Sequence, residues 1–496
     1  MLAAAVVGAQ TALQPVLAGT DREEIEALKK QIELLTSKVL QLEKQQSAGA
    51  SNAQTSTVTL STNALPAAGG GGGRGSAAPA EVIEKIMATP SVKLGSTGLN
   101  VTSADGNFMM GLHALLQMDS RSFFDDGGVH GNDGFLLRRA RPVLEGTLYR
   151  DFDILFSPEF GTSANGTTSA ATVQIQDAYL NYRYGPALQL RVGRFKTPVS
   201  LEFQQAEPDI AFNERGLPVQ LASQRDVGVQ LHGQVLDGRV SYAAGIFNGV
   251  GDNRNSTGSD FEDHKEFAGR VFFQPLLKAD LEALRNIGFG LGSSYGDCAG
   301  ATGMPALTGT APGYSTDAQQ QFFAYKTTAL ADGTHWRLAP QAYYYYGPFG
   351  LISEYLISAQ DMRLSSQTSA QVQTIENQGW QVTATYVLTG EENGFRGLNP
   401  IHPFNPREGH WGAFQLAARY EQLNVDPSAF TYGFASGSDS ARGANAWSVG
   451  LNWWLNRNMR VNTSFSRTVF TGGGGAGSGV TIQPENVLFT RIGLFF

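Results

Sequence analysis

The sequence predicts an all-β fold, a sixteen-stranded antiparallel transmembrane β-barrel, with an N-terminal α-helical coiled coil ahead of it. Three observations carry this reading. From about residue 91 onward, apolar and polar residues alternate in segments of about ten residues, the length of a tilted strand crossing a bilayer. The connections between these segments largely alternate short and long. The chain also ends on "NVLFTRIGLFF", in which Leu488, Ile492, Leu494 and Phe496 share one side of a strand with no charge after Arg491. A terminal strand of that kind calls for an apolar surround and a pairing partner, and closure against the first strand supplies the pairing.

Composition narrows the function classes. Charged residues make up 16% of the 496, below the quarter or so of an average soluble chain. A net charge of −8 argues against a nucleic-acid partner. One cysteine, Cys298, excludes an intrachain disulfide and a cysteine-based zinc cage. No internal run is apolar and long enough for a membrane-spanning helix.

Four regions follow in order. Residues 1–20, "MLAAAVVGAQTALQPVLAGT", read as a signal peptide with cleavage after Ala18, although the first basic residue is Arg22. Residues 21–46 place Ile25, Leu28, Ile32, Leu35, Val39 and Leu42 at alternating spacings of three and four, a coiled-coil seam. Isoleucine and valine at a with leucine at d lean toward a dimer. Residues 47–90 are rich in Ser, Thr, Ala and Gly and read as a flexible tether. Residues 91–496 form the barrel.

Sixteen strands fall near 108–121, 135–148, 152–160, 173–184, 188–196, 225–235, 239–248, 267–274, 287–295, 335–346, 349–359, 379–388, 412–423, 444–455, 459–467 and 487–496. In "GWQVTATYVL", for example, Trp380, Val382, Ala384 and Tyr386 oppose Gln381, Thr383 and Thr385. Two connections on the short side, 275–286 and 389–411, are long. A further candidate, 322–330, is assigned to the loop 296–334 as a hairpin through Asp332-Gly333, because an even count leaves both barrel ends on the turn side.

Several stretches together, "FLLRRARPVLEGTLYRDFD", "DAYLNYRYGPALQLRVGRFKTP", "YYYYGPFGLISEYL", "GWQVTATYVLTGE", "GAFQLAARYEQL" and "SVGLNWWLNRNMRV", resemble the phosphate-selective porin O and P family of Gram-negative outer membranes. The resemblance implies a trimeric sixteen-stranded porin whose third loop, here 197–224, folds into the pore. Family members select phosphate with arginines on the fifth loop and a lysine at the constriction. This chain departs from that pattern: no basic residue lies between Gly296 and Phe323, and the corresponding part of the third loop reads "AEPDIAFNER". The constriction-loop candidates are therefore Glu202, Glu207, Asp209, Glu214 and Arg215.

Strand parity yields the candidate pore lining independently of the family. With Leu136, Ala140, Leu144 and Leu148 outward on the second strand, Arg139, Arg141 and Glu145 turn inward. The fourth strand turns Asp177, Asn181 and Arg183 inward, the fifth Arg191, the sixth Asp226, Gln230 and His232, and the eighth Arg270. The tenth and eleventh add Arg337 and Glu354. A charged wall enriches ions of one sign and replaces part of their hydration; alternatively, these residues pair with one another as structural ladders.

No nucleophile–base pair, metal-ligand motif or phosphate loop is present, so no enzyme activity, metal or cofactor is expected. The expected function is passive diffusion of ions and small hydrophilic solutes. The alternatives are an anion- or phosphate-selective channel using the wall arginines, and a structural tether from outer membrane to cell wall. Expected partners are lipid bilayer and lipopolysaccharide, two further copies in a homotrimer, and the cell wall through a periplasmic coiled coil.

Overall fold

The structure, a computed structural model, describes residues 89–124, 131–161, 173–256, 263–298, 313–473 and 482–496. The expected signal peptide, the coiled coil and nearly all of the tether lie outside the described residues.

Sixteen strands build the barrel: β1 (Phe108–Phe124), β2 (Gly134–Leu148), β3 (Phe152–Glu159), β4 (Gln174–Gly185), β5 (Leu188–Lys196), β6 (Arg225–Val235), β7 (Val240–Phe247) and β8 (Glu266–Phe273), followed by β9 (Ile287–Cys298), β10 (Ala329–Tyr346), β11 (Phe349–Leu364), β12 (Gln373–Val387), β13 (Ala413–Asn424), β14 (Gly443–Asn456), β15 (Met459–Thr471) and β16 (Glu485–Phe495). Each pairs antiparallel with its neighbours in sequence. The ring closes where β16 pairs with β1, from Asn486 opposite Phe124 to Phe495 opposite Leu115. Closure leaves no open edge on these strands. A short hairpin, Ser91–Gly95 with Gly98–Thr102, lies ahead of β1 and pairs through Leu99 with Leu112.

The alternation seen in the sequence is the alternation of the wall. On β14, Trp447, Val449 and Leu451 are exposed on the outer face, whereas Ser448 and Asn452 are buried. Ser448 bonds Ser466 of β15 at 2.9 Å, and Asn452 and Asn462 bond each other, so the inner face is stitched by small polar side chains. Leu488, Ile492, Leu494 and Phe496 of the closing strand are all exposed outward. Tight turns shape one rim: the three residues Tyr149, Arg150 and Asp151 join Leu148 to its partner Phe152, with Tyr149 and Arg150 at positive φ (50° and 69°).

Three local features differ from expectation. Parity along β2 breaks at a bulge, where Gln117 pairs with Arg139 but Met118 with Leu137. The extra residue, Arg138, shifts the outward set to Phe135 and Leu137 in place of Leu136. Asp332 and Gly333 do not turn a hairpin; they sit in an irregularity within the long β10, between Ala331 and His335. The fifth-loop hairpin instead pairs Gly313–Ser315 with Gln321–Ala324.

Loops pack against the β10–β16 side. Tyr314, Phe322, Phe323 and Tyr325 of the fifth loop join Leu423, Phe434 and Phe470 in one buried apolar cluster. The turn 389–411 meets the third loop through Gln205, which donates to the Phe395 carbonyl at 2.8 Å.

Candidate functional site

Residues 197–224 connect β5 to β6. Their sequence alternates apolar residues that need burial with polar residues that need partners. Ser200 caps a single helical turn, Leu201–Gln204, by accepting from the Phe203 amide, and a 3-10 turn runs over Leu217–Leu221. Val199, Leu201, Phe203, Ile210, Phe212, Leu217 and Leu221 are buried.

The polar groups bind strands far away in sequence. Glu354 of β11 accepts from the Ser200 hydroxyl at 2.9 Å and the Leu201 amide at 2.8 Å. Glu202 accepts from Gln381 of β12 at 2.7 Å and from the Gly216 amide at 2.9 Å. Glu421 of β13 accepts from the Leu217 amide at 2.6 Å, and Arg460 of β15 donates to the Ile210 carbonyl at 2.8 Å. The approach is close enough that a Cβ on Gly216 would stand 2.1 Å from Gln381 Oε1.

Glu214 ties the loop to the closing seam. It lies 2.7 Å from Arg491 of β16, 2.8 Å from Arg138 and 3.3 Å from Arg139. Burial would push its carboxyl up, but Arg138, Arg139 and Arg491 outweigh burial and hold it well below the usual carboxylate range.

Glu207 gathers a second set of cations. It lies 3.1 Å from Arg141 of β2, 3.4 Å from Arg225 of β6 and 3.6 Å from Arg215. Burial again opposes ionisation, and Arg141, Lys196, Arg215 and Arg225 together hold this carboxyl well below its ordinary range. The ring of Phe203 lies 4.9 Å from the Arg215 guanidinium, 5.3 Å from Lys196 and 5.5 Å from Arg225, so one aromatic ring steadies three cations. Asp209 differs: burial raises it to about 6 against the pull of Arg460, Lys196 and Arg396.

Two cavities flank this cluster. One of about 480 Å³, toward the long loops, is lined among the described residues by Arg138, Arg139, Arg141, Arg215 and Arg225 with Glu159, Glu207 and Glu214 as the carboxylates. The other, of about 470 Å³ and toward the short turns, has Arg141, Arg191, Lys196, Arg225 and Arg270 against Asp177 and Glu207. Arg141, Glu207 and Arg225 line both. The cavities therefore adjoin at these three side chains, and cations outnumber carboxylates on each side.

The remaining residues singled out by parity take other positions. Arg337 of β10 is fully buried, 2.8 Å from both Asp252 and Glu266. Asp226 accepts from the Val227 and Gly249 amides, each at 2.7 Å. Arg183 is half exposed and pairs with Asp153 at 3.0 Å. Asp177, by contrast, lines the second cavity and pairs there with Arg225 at 3.1 Å. Among the cavity residues, Arg138, Lys196 and Arg225 were not singled out by sequence reasoning. Arg138 is hidden by the bulge, and its signal is the break in alternation at "FLLRRAR"; Lys196 and Arg225 stand at strand ends, where parity is no guide to direction.

The model of the family described as phosphate-selective porin O and P matches residues 111–469. Porin O of Pseudomonas aeruginosa is 25% identical over 401 residues, covering 74% of this chain and 84% of that protein. Among solved structures, the outer-membrane channel DcaP of Acinetobacter baumannii superimposes with a TM-score of 0.48 at 11% identity, over 79% of this chain and 98% of that one. An anion-selective porin from Comamonas acidovorans gives 0.47 at 11% identity, over 78% and 100%. With well over half of its length matched, the chain belongs to the phosphate-selective porin O and P family of outer-membrane β-barrels.

Proposed function

We propose that this chain is a passive-diffusion porin with a preference for anions, and that its third loop narrows the passage at Arg141, Glu207, Arg215 and Arg225. One observation carries the reading: two charged cavities adjoin at Arg141, Glu207 and Arg225, and each is lined by five cations against three and two carboxylates. A lining of net positive sign enriches anions locally and offers guanidinium donors in place of hydration water. Arg139, Arg191, Arg270 and Asp177 take part in this lining. Arg337, Asp226 and Glu354 serve instead to hold loops against the wall, and Glu202, Asp209 and Glu214 to seat the third loop. The preference is for anions in general, because the fifth loop lacks the basic residues that a phosphate ladder needs. The same reading sets the apolar exterior among lipid and lipopolysaccharide, expects a homotrimer, and leaves the N-terminal extension in the periplasm.

The test is the zero-current potential of the purified protein in a planar bilayer across a potassium chloride gradient. A potential of anionic sign supports the reading. A potential at zero or of cationic sign overturns the preference and leaves a general porin.

A further inference from the structure

The two cavities differ in more than position. In the one toward the long loops, the apolar side chains are Phe203 and Val219. In the one toward the short turns, Leu115, Val143 and Leu155 of three successive strands contribute apolar surface, with Phe195 and Pro208 beside them. Parity brings these residues to the inner face, and there, unlike the apolar side chains that pack under the loops, they line an open cavity.

The cations of that cavity also differ among themselves. Arg141 and Arg225 are held by Glu207 and by Glu159 or Asp177. Lys196 donates to the Gln205 carbonyl. Among the described residues Arg191 has no ion pair, and its Nε is buried without a hydrogen-bond partner. Its guanidinium lies 4.5 Å from the Tyr179 ring and 5.4 Å from that of Phe195. Arg270 donates to Gln341 at 2.7 Å, lies 4.6 Å from the Phe272 ring, and makes no ion pair among the described residues. Between them, β7 contributes Ala243, opposite Arg270 in register, a side chain too small to fill the space. Two guanidiniums steadied by aromatic rings and short of carboxylates thus face a cavity with an apolar wall.

We propose that this cavity is a binding subsite for organic anions that join a carboxylate to an apolar ring, the arylcarboxylates. The carboxylate replaces the missing acidic partner of Arg191 or Arg270, and the ring lies against Leu115, Val143 and Leu155. A bare inorganic anion uses the first feature and gains nothing from the second. The inference rests on the anion-preferring passage proposed above and adds a substrate class to it.

Benzoate and acetate carry the same charge and differ by the ring, so they are the probes, with phosphate as the inorganic comparison. Purified full-length protein is placed in a planar bilayer in potassium chloride, and each anion is titrated on either side while chloride current is recorded. Burying one ring face is expected to make benzoate inhibit at about tenfold lower concentration than acetate, more effectively from the side of the short turns. Arg191→Gln and Arg270→Gln are each expected to reduce that ratio severalfold, and Leu155→Ser to weaken benzoate more than acetate. Equal inhibition by benzoate and acetate, with a zero-current potential of anionic sign, overturns the subsite and leaves the porin reading intact. A ratio that survives both arginine substitutions overturns the assigned residues. A cationic or zero potential removes both readings. The ratio in the unmodified protein decides the first question even if a variant fails to fold.

Discussion

On β10, β13 and β16 the inward arginines are sealed, whereas on β2, β5 and β8 they face open volume. Arg337 sits between Asp252 and Glu266, Arg419 between Asp317 and Glu421, and Arg491 between Asp119 and Glu214, all at or near zero exposure. Arg141, Arg191 and Arg270 line cavities of several hundred cubic ångströms. The same residue type, on strands of the same parity, has become mortar in one half of the wall and lining in the other. The difference arises from what lies opposite: each sealed arginine has carboxylates on two sides, Asp252 and Glu266, Asp317 and Glu421, or Asp119 and Glu214, whereas Arg191 and Arg270 make no ion pair among the described residues. Inward direction alone therefore does not identify a lining residue; the loop that covers it must be known as well.

The largest test of this contrast is Arg337→Ala, which strands Asp252 and Glu266 without their cation. Removing one partner of a buried pair costs about 3–5 kcal/mol, to be read from urea unfolding in detergent or lipid. The zero-current potential of the fraction that folds should keep its sign; a reversal of sign would erase the distinction between the two halves. Next in size is Glu207→Gln, which removes a carboxylate shared by both cavities. Its expected effect is a rise of about twofold to threefold in the anion-to-cation permeability ratio, while Arg141→Gln moves the ratio in the opposite direction.

Asp209 offers a smaller and sharper test. Its folded value is about 6 against an ordinary 3.8, so between these values the folded chain holds a proton that the unfolded chain has released. Its contribution to stability is full below about 4 and is lost as pH rises through 6. The stability difference between wild type and Asp209→Asn should accordingly favour wild type most at pH 4 and shrink by pH 7, as measured by urea midpoints. A difference independent of pH would mean that Asp209 is not raised in the fold. The smallest effect belongs to Arg183→Gln. Arg183 is a half-exposed partner of Asp153 at the rim, and its loss should cost no more than about 0.5 kcal/mol and leave conductance unchanged.

The barrel itself was legible because each strand writes its own evidence. Trp447, Val449 and Leu451 meet lipid while Ser448 and Asn452 meet the interior, and the six residues of "WSVGLN" already say so. The closing strand was legible for the same reason: Leu488, Ile492 and Leu494 alternate outward while the strand pairs with β1. The loops were not legible, because their partners lie far off in the chain. Glu214 finds Arg491 277 residues later, and Glu354 meets Ser200 154 residues before it. No local pattern carries such information. The bulge at Arg138 stands between these cases: it leaves a trace in the broken alternation of "FLLRRAR", but the direction of the extra side chain depends on Glu214 waiting inside.

The clamp around Glu214 has a consequence for how the protein is made. Arg491 belongs to the last strand and Asp119 to the first, and Arg491 grips Asp119 at 2.6 and 2.8 Å, Glu214 at 2.7 Å and the Asn213 carbonyl as well. One side chain, Arg491, thus links the paired strands of the final seam to the tip of the third loop. Seating of the loop and closure of the seam are thereby coupled through one side chain, and Glu214→Gln should slow the appearance of the closed barrel in refolding followed by heat-modifiable gel mobility.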